Sequence, residues 1–400
     1  MICTLNLTFN SFKMKKLIFF LFILIKKSTL IFFITIILAC SKNDDSALFD
    51  SSNSNNENTF SFNLDLNSEF PIAHNLGLNY FNDITIGVIT NNSNEIKLLT
   101  AVQTSSFVFS GTSISNISKA TQVATPKANT FYSNYIGLGQ LIKDSNGVIY
   151  SVFHAEVYNG KISSANIPGF NASVGLGISY DNGESFQINS EPIIQNIYDL
   201  DYDNGFDDGG LGEPSITFTK DRKEVYVYYV DHNRSGRGVN ISMVKFKVNE
   251  DGTPDFSTCY YLNDNKQFTT SIIRSKEVVA ELGNVDSIFP HVSYNSFIDK
   301  YVMVYSRNNY DEYINGLQSP LTSGIYYRES QDGISWTESP KKLITDWSVP
   351  FSFDRHSFTW HPTIIYNNDS QDSGFLLFSK ADSVRDGHKM WAMRFSYSEN

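Results

Sequence analysis

Carboxylates and histidines recur in this chain at one kind of place, the opening of a short apolar run. Asp83 stands in YFNDITIG, Glu213 in GLGEPSITF, Asp286 and His291 in DSIFPHVSY, and His361 in FTWHPTIIY. Polar residues close other runs in the same way: His154 and Glu156 in HAE, Asp231 and His232 in DHN, and Arg307 in SRN. Two carboxylates carried on separate elements but facing one space can divide acid and base work, one protonating a leaving oxygen while the other activates water. A histidine beside tyrosine and arginine offers a different chemistry, proton abstraction next to a substrate carboxylate that the arginine neutralises. His291 or His361 with Tyr294 and Arg355 would supply it. No histidine pair stands at i, i+2 or i, i+4, so the spacing points to no metal centre.

Either chemistry needs a scaffold that brings distant runs together. From about residue 69 to 400 the sequence shows almost no 3.6-residue periodicity; it is built of short alternating or β-branched and aromatic runs bounded by Asn, Asp and Gly, which predicts an all-β domain. Five units of about 50 to 75 residues repeat one pattern: a first strand, a polar turn (KDSNG, TKDRK, NSFIDK, NNDSQDSG), an aromatic-rich second strand, a longer excursion, then a third and a variable fourth strand. Repetition of a four-stranded sheet at this period predicts a five-bladed β-propeller. The ends of the first strands then meet around a central channel, so Asp83, Gln140, Glu213, Asp286, His291 and His361 are expected to point into one pocket. His154, Glu156, Asp231, His232 and Arg307 are expected to flank it.

The stretch SYDNGESF and its shortened copy SQDGISW fall at the turn after the third strand of units two and four. There Asp181 and Asp332 can accept turn amides, and the glycines supply positive φ. The stretch resembles the Asp-box of sialidases and related propellers, which implies a folding role for both aspartates. NDI in the first unit, EPS in the third and FPHVSY in the fourth together resemble five-bladed glycoside hydrolases of the family 43 type, arabinofuranosidases and xylosidases among them, over roughly residues 80 to 400. The resemblance implies a catalytic base at Asp83 and, at Glu213, the acidic residue that tunes the general acid, an aspartate in the family. The family's general-acid glutamate falls on Ile288, which carries no proton. Asp286 could replace it, or Glu213 or Glu156 could be the acid, or nothing is hydrolysed. Aromatic residues make up 14% of the chain, and Trp347, Trp360 and Tyr310 stand where rings can stack on sugar faces.

The first 39 residues read as a leader. Lys26 and Lys27 precede an apolar stretch too short to span a bilayer, and IILAC resembles a bacterial lipobox with Cys40 as the lipidated residue. SKNDD after it is similar to the export tag of surface lipoproteins in the Bacteroidetes. Residues 40–68, rich in Ser, Asn and Asp, read as a flexible tether before the domain at 69–400, with the outer membrane as the expected location. Cys259 in FSTCYYL is left without a disulfide partner and reads as core. The chain has 31 basic and 42 acidic side chains; loss of the five leader lysines leaves a net charge of about −16, which disfavours nucleic acid. The expected partner is a carbohydrate and the expected state a monomer. No cofactor is expected, although a structural calcium ion in the central channel would be compatible with such a fold. Three activities therefore stand open: a glycoside hydrolase, a glycan-binding lipoprotein, and a polysaccharide lyase.

Overall fold

The computed structural model describes residues 60–400 apart from 79–81, 93, 163–167, 195–208, 233–238, 273, 281–284, 310–321, 346–357, 368 and 382–387. The leader, Cys40, Tyr310, Trp347 and Arg355 lie outside the described residues. Among the described residues no helix is long and apolar enough to cross a membrane. The helical content there is a single 3-10 turn, His74–Leu76.

Everything else regular is strand. An N-terminal strand β1 (Phe60–Pro71) precedes a first run, β2 (Gly87–Asn91), β3 (Ile96–Val102), β4 (Ser105–Ser113) and β5 (Asn116–Ala124). The second run is β6 (Tyr135–Lys143), β7 (Ile149–Ile162), β8 (Pro168–Ser179) and β9 (Gln187–Ile188). The third is β10 (Gly209–Phe218), β11 (Glu224–Asp231), β12 (Asn240–Val248) and β13 (Pro254–Leu262), with the short β14 (Phe268–Thr269) and β15 (Glu277–Val279). The fourth is β16 (Val285–Asn295), β17 (Lys300–Asn309), β18 (Gly324–Ser330) and β19 (Lys341–Thr345), and the last is β20 (Phe358–Tyr366), β21 (Ser373–Ala381) and β22 (Lys389–Glu399). Each run is an antiparallel meander, and β1 pairs with β22, so the last run takes its outer strand from the other end of the domain. That strand includes residues 60–68, which composition places in the tether: Phe60 to Asp65 pair with β22, from Phe60↔Glu399 to Asp65↔Arg394, despite a polar sequence. The described strands form four sheets, because a two-residue parallel bridge, Gly209↔Asn171 and Gly210↔Ala172, joins the second and third runs. No sheet closes on itself.

Apolar clusters lie between successive runs. Leu99 and Val108 meet Leu138 and Phe153; Val152 and Leu176 meet Val227 and Val244; Tyr228 and Met243 meet Val292 and Met303; Val304 and Ile325 meet Leu376 and Phe395. A further cluster joins the last run to the first, Leu98 and Phe109 against Leu377 and Met390. Strand β11 shows why the second strands are aromatic and β-branched without a break. Val225, Val227 and Tyr229 face one neighbouring run while Tyr226 and Tyr228 face the other, so both faces are core.

The two Asp-containing turns do the work expected of them. Asp181 accepts the Ser185 amide at 3.0 Å and the Ser179 hydroxyl at 2.8 Å; Asp332 accepts the Ile334 and Ser335 amides at 2.8 and 2.7 Å. Gly183 and Gly333 sit at φ 87° and 72°. Tyr228 donates its hydroxyl to the Gly333 carbonyl at 2.7 Å and packs against Trp336, so the second turn locks the fourth run to the third. Cys259 is half-buried in β13, where burial pushes its thiol up to about 12, away from nucleophilic chemistry.

Candidate active site

One local device repeats in the third, fourth and last runs. The first strand of each carries a residue with positive φ followed by proline: Glu213 (52°) before Pro214, Phe289 (55°) before Pro290, His361 (51°) before Pro362. At each the register shifts, between Gly212 and Ser215, Ile288 and His291, and Trp360 and Thr363. Proline cannot donate to the ladder, and a bulge is where a strand tolerates it while re-aiming the neighbouring side chain. Positive φ at a residue that is not glycine is uncommon, and such residues cluster at functional sites. Glu213, Phe289 and His361 are therefore equivalent positions in three runs.

Glu213 and His361 reach a polar group near Asp83, where the first strands begin. His154, buried in β7, lies at its centre. The Glu213 backbone N–H donates to His154 Nδ1 at 3.0 Å, and His154 Nε2 meets Glu156 Oε1 at 3.1 Å. The Glu213 carboxylate is 3.6 Å from Nδ1. Tyr135 opens β6, donates its hydroxyl to the Asp83 carbonyl at 2.7 Å, and meets the His154 ring edge-on at 5.4 Å. On the other side of Asp83, His388 Nε2 stands 3.4 Å from its Oδ1. His361 Nδ1 faces the Asn82 carbonyl at 3.0 Å and the Ser379 hydroxyl at 3.1 Å, and its ring lies 5.6 Å from that of His388.

The electrostatics follow from burial and crowding. Burial alone would lower His154, but the charges of Glu213, Glu156 and Asp83 outweigh it and raise the imidazole from 6.5 to about 9. Because the Glu213 amide occupies the Nδ1 lone pair, Nε2 carries the ring hydrogen that bonds Glu156, and the additional proton belongs to the coupled His154–Glu213–Glu156 group rather than to one atom. Burial, then the Glu156 and Glu213 charges, hold the Asp83 carboxyl above the usual carboxylate range, although 28% of the side chain remains open to solvent. Burial lowers His388 to about 4 and His361 further, so both are neutral imidazoles at pH 7. A raised folded-state value stabilises the fold below the unfolded value and is lost as pH rises through the folded one. Thermal stability should therefore fall between pH 6.5 and about 9, and that slope should flatten in His154→Gln; melting temperature against pH checks this.

Other expected residues go elsewhere. Asp286 is taken up by the Val239 amide, which donates to its carboxylate at 2.7 Å. Asp231 pairs with Arg274 Nε at 3.1 Å. His232 stacks edge-on to Phe170 at 5.9 Å, and Phe170 in turn to His154 at 5.7 Å. Arg307 lies over the Tyr326 ring at 5.4 Å. Gln140 ties three runs together by donating to the Val292 carbonyl at 2.6 Å and accepting from Ser215 and from the Ile216 amide. His291 and Tyr294 line a cavity of about 620 Å³ with Lys143, Lys220 and Tyr366, which stand at or beyond the far ends of the first strands. Placing His291 with Asp83 is thus corrected: β16 carries it past the bulge toward the opposite end, and burial lowers it to about 3. Of the lyase set, His291 and Tyr294 line this one cavity, with the Tyr294 hydroxyl held by Asp299, while His361 belongs to the Asp83 group and Arg355 lies outside the described residues. Ile288 packs with Phe289, Val230, Val239 and Trp360.

Sequence reasoning missed Tyr135 and His388. Tyr135 opens a first strand, the position that singled out Asp83; His388 stands just before β22 with no pattern to mark it. The repeated X-Pro could have flagged Phe289 as the fourth run's counterpart of Glu213. Asp83, His361 and His388 offer two imidazoles and one carboxylate, a donor set unlike the six to eight oxygens that calcium takes.

No protein-family model matches the chain and no curated protein matches its sequence. Among solved structures the chain is similar to a complex of BT0996 and RGII, at 11% identity and a TM-score of 0.51, covering 84% of this protein and 93% of that one. It is similar also to a structure described as a glycoside hydrolase, at 9% identity and a TM-score of 0.50, again covering 84% and 93%. At such identities the likeness is one of fold: this protein has an all-β architecture of the kind that a glycoside hydrolase uses.

Proposed function

We propose that this protein is a five-bladed β-propeller glycoside hydrolase that cleaves a plant or algal polysaccharide or its oligosaccharides at the Asp83 end of the channel. The five blades are the five antiparallel runs, and the cluster joining last to first is what supports ring closure. The observation that carries the activity is the gathering of Glu213 and Glu156 around one buried imidazole beside Asp83. With Ile288 in the acid's place, the proton for the leaving oxygen comes from the Glu213–His154 pair, Glu156 holds the imidazole in orientation, and Asp83 activates water. Trp360, partly buried beside Phe289 at 5.6 Å, offers the sugar an aromatic ring. The protein works as a monomer, anchored through lipidated Cys40 on the outer membrane and facing the cell surface.

One observation favours a second reading, a glycan-binding protein without turnover: the position of the expected general acid is filled by Ile288, packed against Phe289, Val230, Val239 and Trp360. A screen of purified protein on pectic and algal polysaccharides, with RGII as the first probe, separates the readings. Reducing ends without unsaturated products mean hydrolysis. Unsaturated products mean elimination and sink the proposal, and retention on glycan gels with neither signal supports binding alone.

A further inference from the structure

Asp83, His361 and His388 come from three separate segments: the stretch preceding β2, the bulge in β20 and the residue before β22. Each offers a donor atom, and the three donors lie within 4.8 Å of one another. The His388 Nε2 to Asp83 Oδ1 separation of 3.4 Å is close to the edge of a tetrahedron around an ion with bonds of ~2.0–2.1 Å, about 3.3–3.4 Å. The supporting contacts are those a ligand histidine needs. His361 Nδ1 is engaged by the Asn82 carbonyl at 3.0 Å and the Ser379 hydroxyl at 3.1 Å, which fixes the ring and leaves Nε2 as the nitrogen with a free lone pair. Asn82 is itself fully buried and held by its side-chain amide on the Ile84 carbonyl at 2.9 Å. Both imidazoles are more than nine-tenths buried, while 28% of the Asp83 side chain stays open to solvent.

We propose that Asp83, His361 and His388 bind one borderline first-row divalent cation, of which Zn²⁺ is the suitable probe, in preference to calcium or magnesium. Two imidazole nitrogens and one carboxylate oxygen select such ions, whereas hard cations demand oxygen cages. Three protein ligands leave a position open toward the channel. The ion ties the segment before the first run to the last run, where the two ends of the domain meet. A carboxylate has two oxygens, so ligation through Oδ1 leaves Oδ2 for the chemistry assigned to Asp83. The site stands on this donor set whether or not a glycan is hydrolysed.

The test is isothermal titration of the untagged, chelator-treated full-length protein with ZnCl₂, NiCl₂, MnCl₂ and CaCl₂, with no glycan present. One Zn²⁺ per molecule, little or no heat with Ca²⁺, and affinity lowered more than ~100-fold in His388→Ala and in His361→Ala are expected. X-ray absorption of zinc-loaded wild type should show two imidazole nitrogens and at least one carboxylate oxygen, a readout independent of whether the variants fold. Absence of Zn²⁺ binding by wild type, equal affinity for Ca²⁺, or zinc held by other ligands would overturn the assignment.

Discussion

Glu213→Gln is expected to lower kcat/KM on a cleavable glycan by ~10²–10⁴-fold, the range attributed to a positioned proton-transfer group. The substitution keeps the side chain's shape and leaves the backbone N–H that bonds His154 Nδ1, so the local structure should survive. What it removes is the carboxylate 3.6 Å from that ring, the largest of the charges that raise the imidazole, and with it the means of holding a proton near the leaving oxygen. A binding-only protein behaves differently: the same variant would keep its glycan affinity and show no rate to lose. Initial rates of reducing-end release with melting temperature on the same samples check the prediction. A stable variant with wild-type turnover would remove Glu213 from the mechanism.

The second large effect concerns the scaffold. Gly87, in β2, faces Gly139 across the approach of the first run to the second. A methyl group at 87 would overlap the Gly139 carbonyl oxygen and come within 2.9 Å of the Leu141 side chain; one at 139 would come within 2.5 Å of the Thr85 carbonyl. Backbone atoms cannot turn aside as a flexible side chain can, so Gly87→Ala should cost ~3 kcal/mol or more, at the upper end of overpacking effects. Asp83 lies four residues upstream in the same segment, hence activity should fall along with stability. Denaturant midpoints compared with those of Gly77→Ala control for strain without contact, since Gly77 has positive φ but nothing near its added methyl.

Much of the fold was legible because its rules are local. Strand β11 reads VYVYYV because both of its faces are core, and Asp181 and Asp332 mark turns through bonds to residues two to four positions away. Asp83, Glu213, His154, Glu156 and His361 were legible for a similar reason, since each stands near the beginning or end of a recognisable strand. His291 was not: it follows the bulge by two residues, and the register shift between Ile288 and His291 is a property of the pairing, not of the composition. Asp286 looked like a site acid but spends its carboxylate on the Val239 amide of the preceding run, a partner 47 positions away in sequence. His388 is a tertiary fact throughout, placed beside Asp83 only because the last run closes on the first.

The position of a bound oligosaccharide in crystals of the Glu213→Gln variant tests the central claim most directly. The account predicts density at the Asp83 end, with the glycosidic oxygen near the Gln side chain at 213, a water near Asp83 and a sugar ring against Trp360. An oligosaccharide seated instead in the cavity lined by His291, Tyr294 and Tyr366, at the opposite end of the first strands, would contradict it.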